Sequence, residues 1–243
     1  MKNINKRDIL DKCQEIQEDF FDAAKQIPWQ KKGLFFSEAL LFCAVCEMSN
    51  IEVIIESGVR NGISTEIWLR YFGDRVKVHS IDIMDHRNDV ESAISRLSHY
   101  NNIEFHIGDG AEVVKQLSHF LDIDTDKNIA ILFDGPKEQF AIESLKYCQK
   151  FDTVKFGAIH DMGETAKAIH LRIGKPHNRR YAESIDNMNK WERTVFNSDD
   201  QDFYNTLFQI NDKLCGENED WGLYKKKYPI GCGLSIIDLG GKA

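Results

Sequence analysis

Apolar, strand-like runs recur through the middle of the chain at Glu52 to Ile55, Val76 to Ile81, Ile103 to Ile107, Ile129 to Phe133 and Thr153 to Ile159. Between them, helical patterning predicts helices over about Ile63–Tyr71, Val90–His99, Ala111–Phe120 and Gln139–Lys150. Strand and helix in alternation at this interval predict an α/β fold, with right-handed βαβ units on a parallel sheet. Such a sheet binds ligands beyond the carboxyl ends of its strands, near the point where strand order reverses. Functional residues are therefore expected just after each strand.

Ahead of this alternation, Arg7 to Gln26 reads as an amphipathic helix with Ile9, Leu10, Cys13, Ile16, Phe20 and Phe21 on one side, ended by Ile27-Pro28. A second helix is expected from about Ser37 to Met48. Beyond the fifth run, Met162 to Tyr181 is loose and polar, and "KPHNRR" within it reads as a surface loop over the site. "WERTVFN" reads as a short strand, "SDDQDFYNTLFQIND" as a helix that Ser198 or Asp199 could cap, and "GLSIIDL" as a closing strand. No linker composition marks a boundary, so residues 1–50 are taken as a helical extension and 51–243 as the main domain.

Composition narrows the partners. A net charge of −8 over 243 residues offers no positive field for a phosphate backbone, so nucleic acid is not an expected partner. The charged N-terminus lacks a signal-peptide pattern, and the longest apolar run, around Ala39 to Val45, is too short to span a bilayer. A soluble cytoplasmic protein without a membrane partner is the expectation. Six scattered cysteines, Cys13, Cys43, Cys46, Cys148, Cys215 and Cys232, make no disulfide framework, and Cys43 and Cys46 read as buried thiols on an apolar helix. Phe20, Phe21, Phe35 and Phe36 would form an adhesive surface if uncovered, which leaves a homo-oligomer open.

"ESGVRNGIS" after the first run supplies Gly58 and Gly62, but Arg60 takes the middle position of a dinucleotide G-x-G-x-x-G and Ile63 the place of a P-loop lysine. Glu56 precedes them, Asp82 follows the second run and Asp109 the third, flanked by Gly108 and Gly110. Three acids after three successive strands suit a phosphate-free nucleoside with a cationic portion: one acid for the charge, one for ribose hydroxyls and one for an adenine amino group. S-adenosylmethionine (SAM) has that character. An ordinary glycine turn stays open as an alternative, and Asp109 could instead cap the helix at Ala111.

From about Ile51 to Leu239 the chain resembles the class I SAM-dependent methyltransferases. The resemblance implies a Rossmann-like fold: a seven-stranded, mostly parallel sheet with helices on both faces and an antiparallel last strand. Glu56, Gly58 and Gly62 match the family's first glycine-rich motif, Asp82 its ribose acid, Asp109 its adenine-side acid and Asp134 its motif after the fourth strand. With Ser57, Ser64 and Gly110 beside them, these form the implied cofactor-binding set. "ILFDGPKEQFAIESL" and "FGAIHDMG" are similar to O-methyltransferases of sugars and antibiotic glycosides, several of which hold a divalent metal on acids after the fourth and fifth strands. This chain departs from them: His160 stands where one acid would be, and Pro136-Lys137 replaces a more acidic segment. If a metal such as magnesium is held, the implied ligands are Asp134, His160 and Asp161.

Methyl transfer to a hydroxyl needs alignment and proton removal. His160 is the candidate base, with Asp161 to orient it and Asp134 to share the task; the bland alternative has His160 bonded to backbone and Asp161 as a helix cap. The acceptor is expected to be a small molecule, a sugar or glycan precursor. N-methylation of a small amine and a non-catalytic nucleoside-binding relative stay open, while a nicotinamide oxidoreductase is disfavoured by the missing middle glycine. His79, His99, His106 and His119 have no partner acids in motif and are assigned no role.

Overall fold

The computed structural model describes residues 5–30, 33–135, 138–162, 167, 176–196, 209–216, 221 and 233–240. In chain order its elements are α1 (Lys6–Ala24), α2 (Phe36–Met48), β1 (Val53–Ser57), α3 (Ile63–Phe72), β2 (Lys77–Asp82), α4 (Arg87–Leu97), β3 (Ile103–Ile107), α5 (Gly110–Asp124), β4 (Ile129–Phe133), α6 (Gln139–Cys148), β5 (Val154–His160), α7 (Pro176–Asn189), β6 (Thr194–Phe196) and β7 (Leu234–Asp238). The strands form one seven-stranded sheet in the order β3-β2-β1-β4-β5-β7-β6. Strands β1 to β5 run parallel, and β7 is antiparallel to β5 and β6.

The apolar runs are continuous because β1 and β4 are buried on both faces. Ile54, Val78, Ala130 and Leu132 face α1 to α4, whereas Val53, Ile55, Ile81, Ile131 and Phe133 face α5 to α7. Chain order reverses between β1 and β4, so the carboxyl ends of these two strands open the crevice where such sheets take ligands.

Helix α2 is apolar all round and lies in the core, with Cys43 and Cys46 enclosed as expected. Phe20, Phe35 and Phe36 are also interior and Phe21 is half-buried, so the first three are not uncovered as an adhesive surface would require. The polar stretch around "KPHNRR" is corrected. Residues from Pro176 onward open α7 rather than a loop, with Tyr181, Ile185 and Met188 turned into the core. Proline suits the first helical position because its missing N–H has no acceptor there in any case. Of the expected helix in "SDDQDFYNTLFQIND", the described part is helical from 209 to 215; Ser198 and Asp199 lie outside the described residues. No helix among the described residues is long and apolar enough to cross a membrane.

Candidate active site

The loop between β1 and α3 turns on two glycines in left-handed backbone, Gly58 (φ 106°) and Gly62 (φ 68°). Gly58 is required for contact with its neighbour: a Cβ there would lie 2.4 Å from the Gly135 nitrogen. The Ser57 carbonyl accepts from the Asp134 and Gly135 amides at 2.7 Å each, which ties the β1 and β4 exits into one floor. Arg60 keeps the left-handed turn (φ 42°) without being glycine. Arg60, Met84, Glu138 and Asp161, four of the five non-glycine residues with positive φ among those described, all follow strands on this edge. Backbone strain of this kind concentrates where a structure positions chemistry.

Asp82 closes β2. Its Oδ2 accepts from the Val59 and Arg60 amides at 3.1 Å each and its Oδ1 from the Met84 amide at 2.8 Å. A carboxylate offers about four acceptor positions, so Oδ1 keeps room for one hydroxyl donor. The same contacts exclude a phosphate cradle: the loop amides a pyrophosphate would use already face a carboxylate. Asp109 caps α5, its Oδ1 accepting from the Ala111 amide at 2.9 Å and the Glu112 amide at 3.3 Å, and it stays exposed beside buried Gly110.

Glu56 corrects the sequence expectation. Its side chain is 0% exposed, with no surface left for a ligand. Its Oε2 accepts from Thr65 Oγ1 at 2.5 Å and Ser80 Oγ at 3.2 Å, and its Oε1 from Trp68 Nε1 at 3.1 Å. Burial raises its pKa, against which bonds from Ser64, Thr65, Trp68 and Ser80 pull down. Ser64, also expected at the cofactor, is thus part of this enclosed network, and Ser57 is 1% exposed with its hydroxyl turned inward. Glu56 staples α3 to β1 and β2 beneath the loop instead of lining the crevice.

At the exit of β5, His160 is 6% exposed and has carboxylates on both edges of its ring. Nδ1 lies 2.6 Å from Asp134 Oδ1; Nε2 lies 3.1 Å from Glu38 Oε2 and 3.4 Å from Asp161 Oδ1. Glu38 is itself anchored, accepting from the Phe35 amide and the Gly233 amide at 2.9 Å each. Tyr181 Oη donates to the Asp161 carbonyl at 2.5 Å, so α7 fixes the turn that carries this acid. Asp161 is the more open end of the cluster, with 27% of its side chain exposed against 14% for Asp134.

No known family profile matches the chain, and neither does any curated protein. Solved structures do. The O-methyltransferase TomG from Streptomyces achromogenes, solved with SAM, superposes at TM-score 0.55 with 13% identity over 99% of this chain and 93% of its own. The Podospora anserina methyltransferase PaMTH1, bound to S-adenosylhomocysteine (SAH), gives 0.55 at 11% identity over 98% and 90%. An SAH-bound O-methyltransferase from Bacillus cereus gives 0.51 at 13% identity over 76% and 81%. The fold is the Rossmann-like methyltransferase fold.

On that fold the sequence-predicted residues divide. Gly58, Gly62, Asp82, Asp109, Gly110 and Asp134 border the carboxyl edge of β1 to β4, His160 and Asp161 gather with Asp134, and Glu56, Ser57 and Ser64 withdraw into the core. Asp82 keeps one acceptor position at the β2 exit, next to the switch point, and Asp109 stays exposed at the β3 exit. Asp134, His160 and Asp161 offer ligand atoms within 4.8 Å of one another. They do not fit magnesium, which takes oxygen donors in a near-octahedral shell. Here an imidazole stands in the middle, committed to Asp134 at 2.6 Å in a hydrogen bond that an ion would have to replace.

Glu38 was missed by sequence reasoning. It sits on α2, far along the chain from His160, and its only signal is being the one acid inside the apolar run "FSEALLFCAVC". Tyr181 was missed with the helix that carries it.

Proposed function

We propose that the chain is a SAM-dependent O-methyltransferase acting on a hydroxyl of a small molecule, a sugar or glycan precursor, without a metal in the transfer step. The observation that carries this is His160 held between Asp134 and the Glu38–Asp161 pair at the exit of β5, on the same sheet edge as the glycine loop and Asp82. SAM supplies a methyl group already activated by its sulfonium, so the protein's tasks are alignment, exclusion of water and removal of one proton.

In this reading Asp82 binds the ribose, Asp109 the adenine amino group, and the 58–62 loop packs against the nucleoside. The acceptor hydroxyl meets Asp161, the exposed member of the cluster, whose carboxylate takes the proton and relays it to the enclosed His160 Nε2, 3.4 Å from Asp161 Oδ1. Asp134 accepts from Nδ1 and orients the ring. An imidazolium formed there has carboxylates on both edges. The extension formed by residues 1–50, which brings Glu38 to the cluster, and α7, which brings Tyr181, would shape the acceptor pocket.

The test separates binding from turnover. SAH at about 100 times its dissociation constant should stabilise the chain by roughly 2.7 kcal/mol, raising the melting temperature by about 5 to 10 °C, and Asp82→Ala should remove the rise. Asp161→Asn should keep the SAH shift and lower methyl transfer about 10²- to 10⁴-fold. Absence of any shift with both SAM and SAH refutes the reading.

A further inference from the structure

A second cluster of ligating side chains lies away from the strand ends, on the opposite face of the sheet. β2 and β3 pair in parallel with His79 opposite Glu104 and Ile81 opposite His106, so His79, Glu104 and His106 project from one face, the face that carries Ile81 onto the α5 side. β3 is an edge strand. We propose that His79, Glu104 and His106 bind a divalent transition-metal ion of the zinc class, clipping β2 to the edge strand.

Geometry is the main support. His79 Nδ1 lies 3.0 Å from His106 Nε2 and 3.4 Å from Glu104 Oε2, and His106 Nε2 lies 4.0 Å from Glu104 Oε2. The three ligand atoms lie within 4.8 Å of one another, near enough for one ion to reach all three once the 3.0 Å His79–His106 contact opens toward the roughly 3.3 Å spacing of tetrahedral zinc ligands. Two imidazoles and one carboxylate, with solvent in the fourth position, suit zinc, cobalt or nickel and not magnesium or calcium.

The surroundings agree. Lys77 Nζ holds Glu104 Oε1 at 2.6 Å, which leaves Oε2 turned toward the rings. The His106 and Glu104 side chains are 26% and 50% exposed, so an ion and a water reach the site from solvent. His79 is enclosed, with its Nδ1 turned toward the His106 and Glu104 side chains.

The test compares stoichiometries of the full chain, stripped with a chelator and titrated with Co2+ and then Zn2+. Glu104→Gln and His106→Gln are the variants, because both positions are partly exposed and tolerate change better than His79. The wild type should take up one more equivalent of Co2+ than either variant, with the visible bands of four-coordinate cobalt, and Zn2+ should displace it. Equal stoichiometry in wild type and both variants, or no cobalt spectrum in the wild type, overturns the proposal. SAH-induced stabilisation should be the same in all three proteins, so this site and the methyl-transfer reading fail or stand separately.

Discussion

The Glu56 network allows a stability prediction whose sign is fixed by the structure. Replacing Glu56 by alanine leaves the Trp68 indole N–H and the Thr65 and Ser80 hydroxyls without their acceptor, inside a region with no solvent. The hydroxyls can turn to other acceptors, but the indole cannot. An orphaned buried donor costs about 1–3 kcal/mol, and the void left by the side chain adds to it, so the loss should be about 4 kcal/mol. For a chain of this size that is roughly 10 °C in melting temperature. Glu56→Gln keeps an acceptor for Trp68 and should cost only about 1 kcal/mol at neutral pH. Burial raises the native carboxyl pKa above its unfolded value, so the stability Glu56 contributes is full below about 4.5 and is lost as pH climbs through the raised value. Urea titrations of wild type and Glu56→Gln from pH 4.5 to 8 should therefore show a gap that narrows with rising pH. A gap that widens would mean the hydrogen bonds outweigh desolvation, and the reasoning fails. Loss of SAH binding in a folded Glu56→Gln protein would equally refute placing this acid beneath the loop.

Gly58→Ala should destabilise by more than about 3 kcal/mol, because the new Cβ meets the Gly135 backbone at a positive φ, whereas Gly73→Ala, with nothing within 4 Å of the new Cβ, carries backbone strain alone (φ 54°, ψ −143°) and should cost less, about 1–3 kcal/mol; chemical denaturation of both variants measures the difference. His160→Ala should cost about 3–5 kcal/mol at neutral pH by leaving Glu38, Asp134 and Asp161 facing one another without the ring, and a variant as stable as wild type would show that the cluster is not held as described. Burial pushes the thiols of Cys13 and Cys215 up to about 12 and that of Cys148 to about 11, so iodoacetamide at pH 8 followed by peptide mass mapping should label none of the three until the chain is unfolded.

The parallel strands were legible in the sequence because burial on both faces writes them as unbroken apolar runs such as "IAILF", and the helices between them because one stripe of each is apolar. The placing of Gly58, Gly62, Asp82 and Asp109 after strands followed from that alternation. What failed was side-chain direction. Glu56 and Asp82 both end strands, yet pairing with Thr65, Trp68 and Ser80 takes one into the core while loop amides keep the other at the rim. The start of α7 was hidden by its polar first turn, although Pro176 ahead of Tyr181, Ile185 and Met188 is a helix-start signal. Glu38 beside His160, and His79 beside the Glu104–His106 pair of β3, meet only through tertiary packing or strand register, which no local spacing encodes.

The seam between Gly58 and Gly135 couples two positions that are distant in the chain but share one volume. A side chain gained by either loop has nowhere to go unless the other loop retreats. Drift at these two sites should therefore be joint, with relatives that depart from glycine at one also rebuilding the other. Engineering a roomier crevice would then have to start from both loop exits at once, never from the glycine turn alone.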